Sequence, residues 1–151
     1  MNVADIMTKK PVTIHQDETL RAALEKMECI GCQHLPVLDS EGHLVGVLSD
    51  RDCRKALQKP VLTREQWEQH DLVNHILVRS LMTPAPIVVE PSTSASEAAR
   101  LMLVHNISSL PVMRSETLVG IVTKSDILIA FMKIHGRDAE KPNPQGGSHC
   151  R

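Results

Sequence analysis

"HLPVLDSEGHLVGVLSDRD" occupies residues 34–52 and "SLPVMRSETLVGIVTKSD" occupies residues 109–126. Each reads as two short aliphatic, β-branched runs about a polar turn, then a helix start. In the first, "LPVLD" and "HLVGVLS" flank the turn signal "SEG". Two hairpins of one spelling in one chain make internal repetition the first property to establish.

The repeat extends outward from both. With a shift of 75, "IMTKKPVTI" from Ile6 falls on "LMTPAPIVV" from Leu81, Ala23 on Ala98 and Met27 on Met102. Past the turn the second copy is one residue shorter, and with a shift of 74 "LVGVLSDRD" from Leu44 falls on "LVGIVTKSD" from Leu118. In each copy "PVTI" or "PIVV" predicts a strand. A helix follows, with Leu20, Ala23, Leu24 and Met27 at helical spacing in the first. Thr19 is its expected N-cap; in the second copy Ser94 takes that place and forms a capping box with Glu97. The hairpin comes next, then a helix through Asp52 to Leu57 or through Asp126 to Phe131. The order strand, helix, strand, strand, helix gives an α+β fold. Three strands cannot bury a face alone, so the two copies are expected to pack into one body. Residues 1–58 form the first repeat and 79–133 the second. Residues 59–78 read as a linker helix, opened by Thr63 and Gln66 at capping-box spacing, carrying Trp67 and ending near Val78. The tail, 134–151, is rich in Pro, Gly and polar residues and is expected to be disordered.

Composition narrows the function. The 151 residues are 42% hydrophobic but only 1% aromatic, so the core is aliphatic. Seventeen Lys and Arg against 18 Asp and Glu give a net charge of -1, which argues against nucleic acid as a partner. No apolar run has the length of a membrane span, about 20 residues. The start, "MNVADIMTKK", lacks a signal-peptide pattern, so a soluble cytoplasmic protein with four reduced cysteines is expected.

The recurring "SDRD" and "TKSD" carry the chemistry. Ser49 with Asp52, and Thr123 with Asp126, have the spacing of a helix cap, in which the hydroxyl takes an orphan N–H and the acid suits the helix dipole. A ligand site is the rival reading. A helix N-terminus offers N–H groups to a phosphate, and a nearby carboxylate can accept from ribose hydroxyls. The two readings are compatible.

These motifs together resemble a pair of CBS domains, sometimes called a Bateman module, over about residues 1 to 133: "DIMT…PVTI", "HLPVLDSEGHLVGVLSDRD", "SLMT…PIVV" and "SLPVMRSETLVGIVTKSD". The resemblance implies two repeats about a pseudo-twofold, a cleft between them and usually a disc-shaped homodimer. It implies an adenine-containing ligand in the cleft, drawn from AMP, ADP, ATP, NAD or S-adenosylmethionine, with no required cofactor. It also implies regulation of a separate, unidentified protein, since only a short tail accompanies the pair. In the family each ligand draws on both repeats. One site thereby joins Thr123, Ser125 and Asp126 to Lys10, Pro11, Val12, Cys32, Gln33 and His34. The other joins Ser49, Arg51 and Asp52 to Ala85, Pro86, Ile87, Ile107, Ser108 and Ser109. The first is favoured for its two hydroxyls and two potential cations, Lys10 and His34. A dimerising scaffold with an empty cleft is the alternative.

Other constellations are weaker. Cys29 and Cys32 have CxxC spacing, which suits a thiol or zinc sensor. They align with Val104 and Ile107, however, and Cys53 with Ile127, so they read as small core residues. No nucleophile motif is present, and catalysis is not expected.

Overall fold

The computed structural model describes residues 1–61 and 63–136. Both quoted stretches are hairpins. In the first, β3 (His34–Leu38) pairs antiparallel with β4 (Leu44–Ser49), with Pro36 opposite Val47 and His34 opposite Ser49. In the second, β6 (Ser109–Arg114) pairs antiparallel with β7 (Thr117–Thr123), with Pro111 opposite Ile121 and Ser109 opposite Thr123. Leu35, Pro36 and Val37 are buried in succession rather than alternately, as in a strand covered on both faces. The turns differ by the one residue that the alignment removes. Gly42 supplies a left-handed residue in the first (φ 81°), and Ser115 does so in the second (φ 57°).

The chain divides into two units whose boundaries are not those of the repeats. Among the described residues, 12–85 build one around the first hairpin, and 1–11 with 86–136 build the other around the second. The repeats read from the sequence, 1–58 and 79–133, therefore trade their leading segments between the units. β1 (Thr8–Lys9), from the start of the first repeat, pairs with β7, Lys9 opposite Gly120. β5 (Thr83–Pro84), from the start of the second, pairs with β4, Gly46 opposite Pro84. The leading "MT" dipeptides are exchanged between repeats, and the glycine of "LVG" is what admits them. A β-carbon on Gly120 would lie 2.5 Å from Met7 Sδ and 2.9 Å from the Thr8 carbonyl oxygen. On Gly46 it would lie 2.5 Å from Met82 Sδ and 2.8 Å from the Thr83 oxygen. Only glycine tolerates that approach of backbone to backbone.

Ahead of each dipeptide stands a one-turn helix, α1 (Val3–Ile6) and α5 (Val78–Leu81), anchored by fully buried Val3 and Val78. The predicted leading strands are mostly not ladder. "PVTI" contributes only its last residue, Ile14, which begins β2 (Ile14–His15), parallel to β3. "PIVV" contributes a single bridge, Val89 to Val112. The long helices, α2 (Leu20–Ile30) and α6 (Ala95–His105), lie where periodicity put them, capped by Thr19 and Ser94 and ended by left-handed Gly31 and Asn106. Glu97 does not close the expected capping box. Its carboxylate takes a two-pronged bond from Arg100 instead, at 2.7 and 2.8 Å. The closing helices are α3 (Asp50–Ala56) and α7 (Lys124–Ile134).

The single linker helix is also corrected. The Thr63–Gln66 capping box forms and opens α4 (Arg64–Glu68), but a 3-10 turn (Asp71–Asn74) follows before α5. Trp67 and Val73 are both core residues. Six positions apart, they would sit roughly 240° apart around a continuous α-helix. Burying both requires a break, and His70 makes it by accepting the Leu72 N–H on Nδ1. Arg21 and Arg64 lie over the Trp67 ring at 5.6 and 5.4 Å.

Each unit has its own core: Leu20, Leu24, Leu35, Leu48, Trp67 and Val78 in one, Val3, Met102, Leu110 and Val122 in the other. Among the described residues no helix is long and apolar enough to cross a membrane. Apart from its first three residues, the predicted tail lies outside the described residues. Those three continue the fold, since α7 runs to Ile134.

Candidate functional site

Each hairpin ends by delivering a hydroxyl and an acid to a helix start. Thr123 is extended (φ -119°, ψ 166°) and caps α7. Its Oγ1 accepts from the Asp126 N–H at 3.3 Å. Asp126 Oδ2 accepts in return from the Thr123 N–H at 2.9 Å and from the Thr123 hydroxyl at 3.0 Å. In the other unit Ser49 Oγ accepts from the Asp52 N–H at 3.1 Å, and Asp52 Oδ2 accepts from the Ser49 N–H at 2.9 Å. Both motifs are thus complete capping boxes. In the Ser49 box the bonds use one oxygen of Asp52. Asp126 is buried, 4% exposed, whereas Asp52 is half-buried.

The residues before "LPV" close on the helix start of their own hairpin. The Lys124 N–H donates to the Ser108 carbonyl at 3.0 Å, and Ser109 is buried opposite Thr123. Correspondingly, the Asp50 N–H donates to the Gln33 carbonyl at 2.8 Å, and His34 stands opposite Ser49. Ser108 and Ile107 thus share a unit with Thr123, Ser125 and Asp126, together with Lys10, Pro11, Pro86 and Ile87. Val12, Cys32, Gln33 and His34 share the other with Ser49, Arg51, Asp52 and Ala85.

Lys10 and Ala85 hold equivalent places just after the exchanged dipeptides. Both are left-handed, φ 47° and 46°, and both precede proline. Lys10 donates its N–H to Val119 at 3.3 Å and Ala85 donates to Val45 at 3.2 Å. The backbone is therefore the same in the two units, and the side chains differ. The helix starts differ too. Lys124 opens α7 and is exposed, whereas Asp50 opens α3 and pairs with Arg54 at 3.0 Å. Sequence reasoning passed over Lys124, although setting "TKSD" against "SDRD" would have exposed the change of sign.

Cys32 and Cys53 are not activated thiols. Burial pushes the Cys32 thiol up, and it pushes Cys53 up to about 12, helped by Asp50 and Asp52. Both are free thiols that disfavour the thiolate. Cys29 is disulfide-bonded, contrary to the expectation of four reduced cysteines, so it makes no dithiol with Cys32. Among the described residues no group of three His, Cys, Asp or Glu is placed to hold a metal.

Comparison with known proteins places these features in a family. The CBS domain model matches residues 3–59 and 78–133. A CBS domain-containing protein of Dictyostelium discoideum is 35% identical over 133 residues, spanning 87% of this chain and 92% of its own. The crystal structure of CBSX2 in complex with AMP is 33% identical with a TM-score of 0.71, covering 89% of this chain and 98% of that one. The CBS domain pair of protein MJ0100, in complex with 5'-methylthioadenosine and S-adenosyl-L-methionine, is 29% identical with a TM-score of 0.75, over 89% of this chain and 98% of that one.

Proposed function

Because this chain belongs to the CBS domain family and carries two copies of the domain, we propose that it is a non-catalytic regulatory module. It binds an adenine-containing small molecule and signals occupancy to a separate protein. The observation that carries this reading is Asp126, a buried carboxylate fixed at a helix start by its bonds to Thr123. Held there, it can accept from ribose hydroxyls while Thr123, Ser125 and the positive end of α7 face a phosphate. The two solved relatives that hold AMP and adenosyl compounds support the ligand class. The resemblance also assigns Val12, Cys32, Gln33 and His34 to the Asp126 ligand, and His34→Ala tests that part. Signalling is a population shift, so the ligand must favour one arrangement of the protein over another.

The test is thermal stability of the full chain against adenosine, AMP, ADP, ATP, NAD and S-adenosylmethionine. A ligand at about 100 times its dissociation constant adds about 2.7 kcal/mol. Asp126→Asn keeps a carbonyl oxygen for the cap and removes the charge. Its affinity falls about 10- to 100-fold. An unchanged affinity rules out the ribose role.

A second reading has its own observation. Both motifs are complete capping boxes, which is all that a dimerising scaffold would need of them. A flat panel, with no ligand shifting the midpoint, selects that reading.

A further inference from the structure

We infer that the leading arm, residues 1–11, is exchangeable between two copies of this chain, each donating its arm to the second-hairpin unit of the other. No ligand is needed for this exchange. Residues 12–85 build their unit as one continuous stretch, whereas residues 86–136 are completed by a segment from before that stretch. The arm supplies both core and backbone bonds. Val3 is fully buried with Met102, Leu110, Val112 and Val122, and Ile6 and Met7 pack against them. The Val3 N–H donates to the Thr93 carbonyl at 2.7 Å and the Ala4 N–H to that of Pro91 at 3.0 Å, while the Met1 carbonyl accepts from the Ala95 N–H at 3.0 Å. Thr8 and Lys9 then extend the sheet beside β7. Every backbone bond from the arm to the rest of the described residues ends in residues 86–136. The acceptor is thus the second-hairpin unit alone, and a second copy of the chain presents the same acceptor.

The crossing carries a reason to open. The ladder of one unit ends at Lys9 and that of the other begins at Ile14. Between them Lys10 is left-handed, at φ 47°, and is followed by Pro11. A left-handed lysine is sterically costly, and a residue before proline favours extended backbone. Lys10 and Val12 are exposed, so the crossing can straighten without uncovering core at either. The bond at the crossing itself, from the Lys10 N–H to Val119, is long at 3.3 Å. Straightening relieves the strain, and docking on a partner restores the contacts of the arm. Short hinges under strain are those that invite exchange. Ala85 has the same conformation before Pro86. The residues ahead of it, however, belong to the same unit as the stretch they continue, so no arm is freed there.

The experiment is sedimentation velocity on the full chain, after long incubation at high concentration and again after dilution, for the natural protein, Lys10→Asn and Lys10→Val. Asparagine tolerates the left-handed region and a β-branched residue does not, while both keep the N–H that bonds Val119. A dimer is expected that decays slowly on dilution, because each arm must leave its acceptor before it can return. Lys10→Val is expected to raise the dimerisation constant about tenfold and Lys10→Asn to lower it about tenfold. Opposite shifts are the signature of a hinge, since a dimer held by surface contact at Lys10 responds to loss of the lysine in one direction. No dimer in any of the three, a dimer that re-equilibrates at once, or a shift in the same direction or in neither variant overturns the inference.

Discussion

The two units are one repeat built twice, and they agree in their frame while differing in what the frame carries. In both, a glycine in the middle of the hairpin receives an exchanged Met-Thr pair, and a hydroxyl and an acid cap the closing helix. Around that frame the first-hairpin unit is short and charged. Its α3 ends at Ala56, followed by left-handed Gln58 and by Pro60, which cannot continue a helix. In the second-hairpin unit Ile134 takes the place of Pro60, and α7 runs on. The added length presents Phe131, Met132 and Ile134 to solvent; Leu128, earlier in α7, and Leu103 and Val104 of α6 are exposed too. The counterparts of Leu103 and Leu128 are Glu28 and Arg54, and the linker packs on α2 through its 3-10 turn. Duplication preserved the geometry of the cap and left charge and surface free to diverge.

The shared frame is broken most severely at its glycines. Gly46→Ala and Gly120→Ala should each cost about 1–3 kcal/mol, since the new methyl meets backbone as well as a flexible methionine. Urea unfolding would measure both. Similar losses mean that the exchange is equally essential to both units. A neutral substitution in either would mean that its Met-Thr pair is held by something other than the glycine's missing side chain.

The divergent surface is the next place to press. Phe131, the only phenylalanine, is 61% exposed, and Leu128, Met132 and Ile134 of the same helix are exposed as well. Exposed apolar surface on one helix is a candidate interaction site. If the homodimer implied by the family resemblance uses this face, Phe131→Asp should weaken association at least tenfold. Ile30→Asp, at an exposed apolar position of the other unit, should not. Sedimentation velocity over a range of concentrations distinguishes them. Equal effects of the two substitutions would remove the asymmetry.

How far the sequence carries the fold follows from the range of each interaction. The hairpins, the helix caps at Thr19, Ser49, Ser94 and Thr123, and the repeat itself are local patterns, and they were legible. The exchange of Met7–Thr8 and Met82–Thr83 was not, because alignment shows that segments match without showing which copy they pair with. The linker broke because Trp67 and Val73 are both buried, a tertiary demand that outweighs a good capping box. At the candidate site, residue types were readable from "TKSD" and "SDRD". The left-handed backbone at Lys10 was not, since a lysine before a proline gives no signal for it.

The smallest contrast lies in the turns. Asp39 Oδ1 accepts from the Glu41 and His43 N–H groups, each at 2.9 Å. The His43 N–H holds the carboxyl below its usual range, with the Glu41 N–H and the His43 ring adding to it. Arg114 occupies this place in the second hairpin, where no such acid organises the turn. A depressed folded pKa means that the contribution of Asp39 is fully present above the ordinary carboxylate value, about 3.9. It is lost as pH falls through the lower folded value. The gap in melting temperature between the natural protein and Asp39→Ala should therefore be steady near pH 6 and shrink toward about pH 2, whereas Arg114→Ala shows no such narrowing. A gap that stays constant across that range would mean that the turn is held by its backbone conformation, with Gly42 rather than the Asp39 carboxylate setting the first hairpin apart from the second.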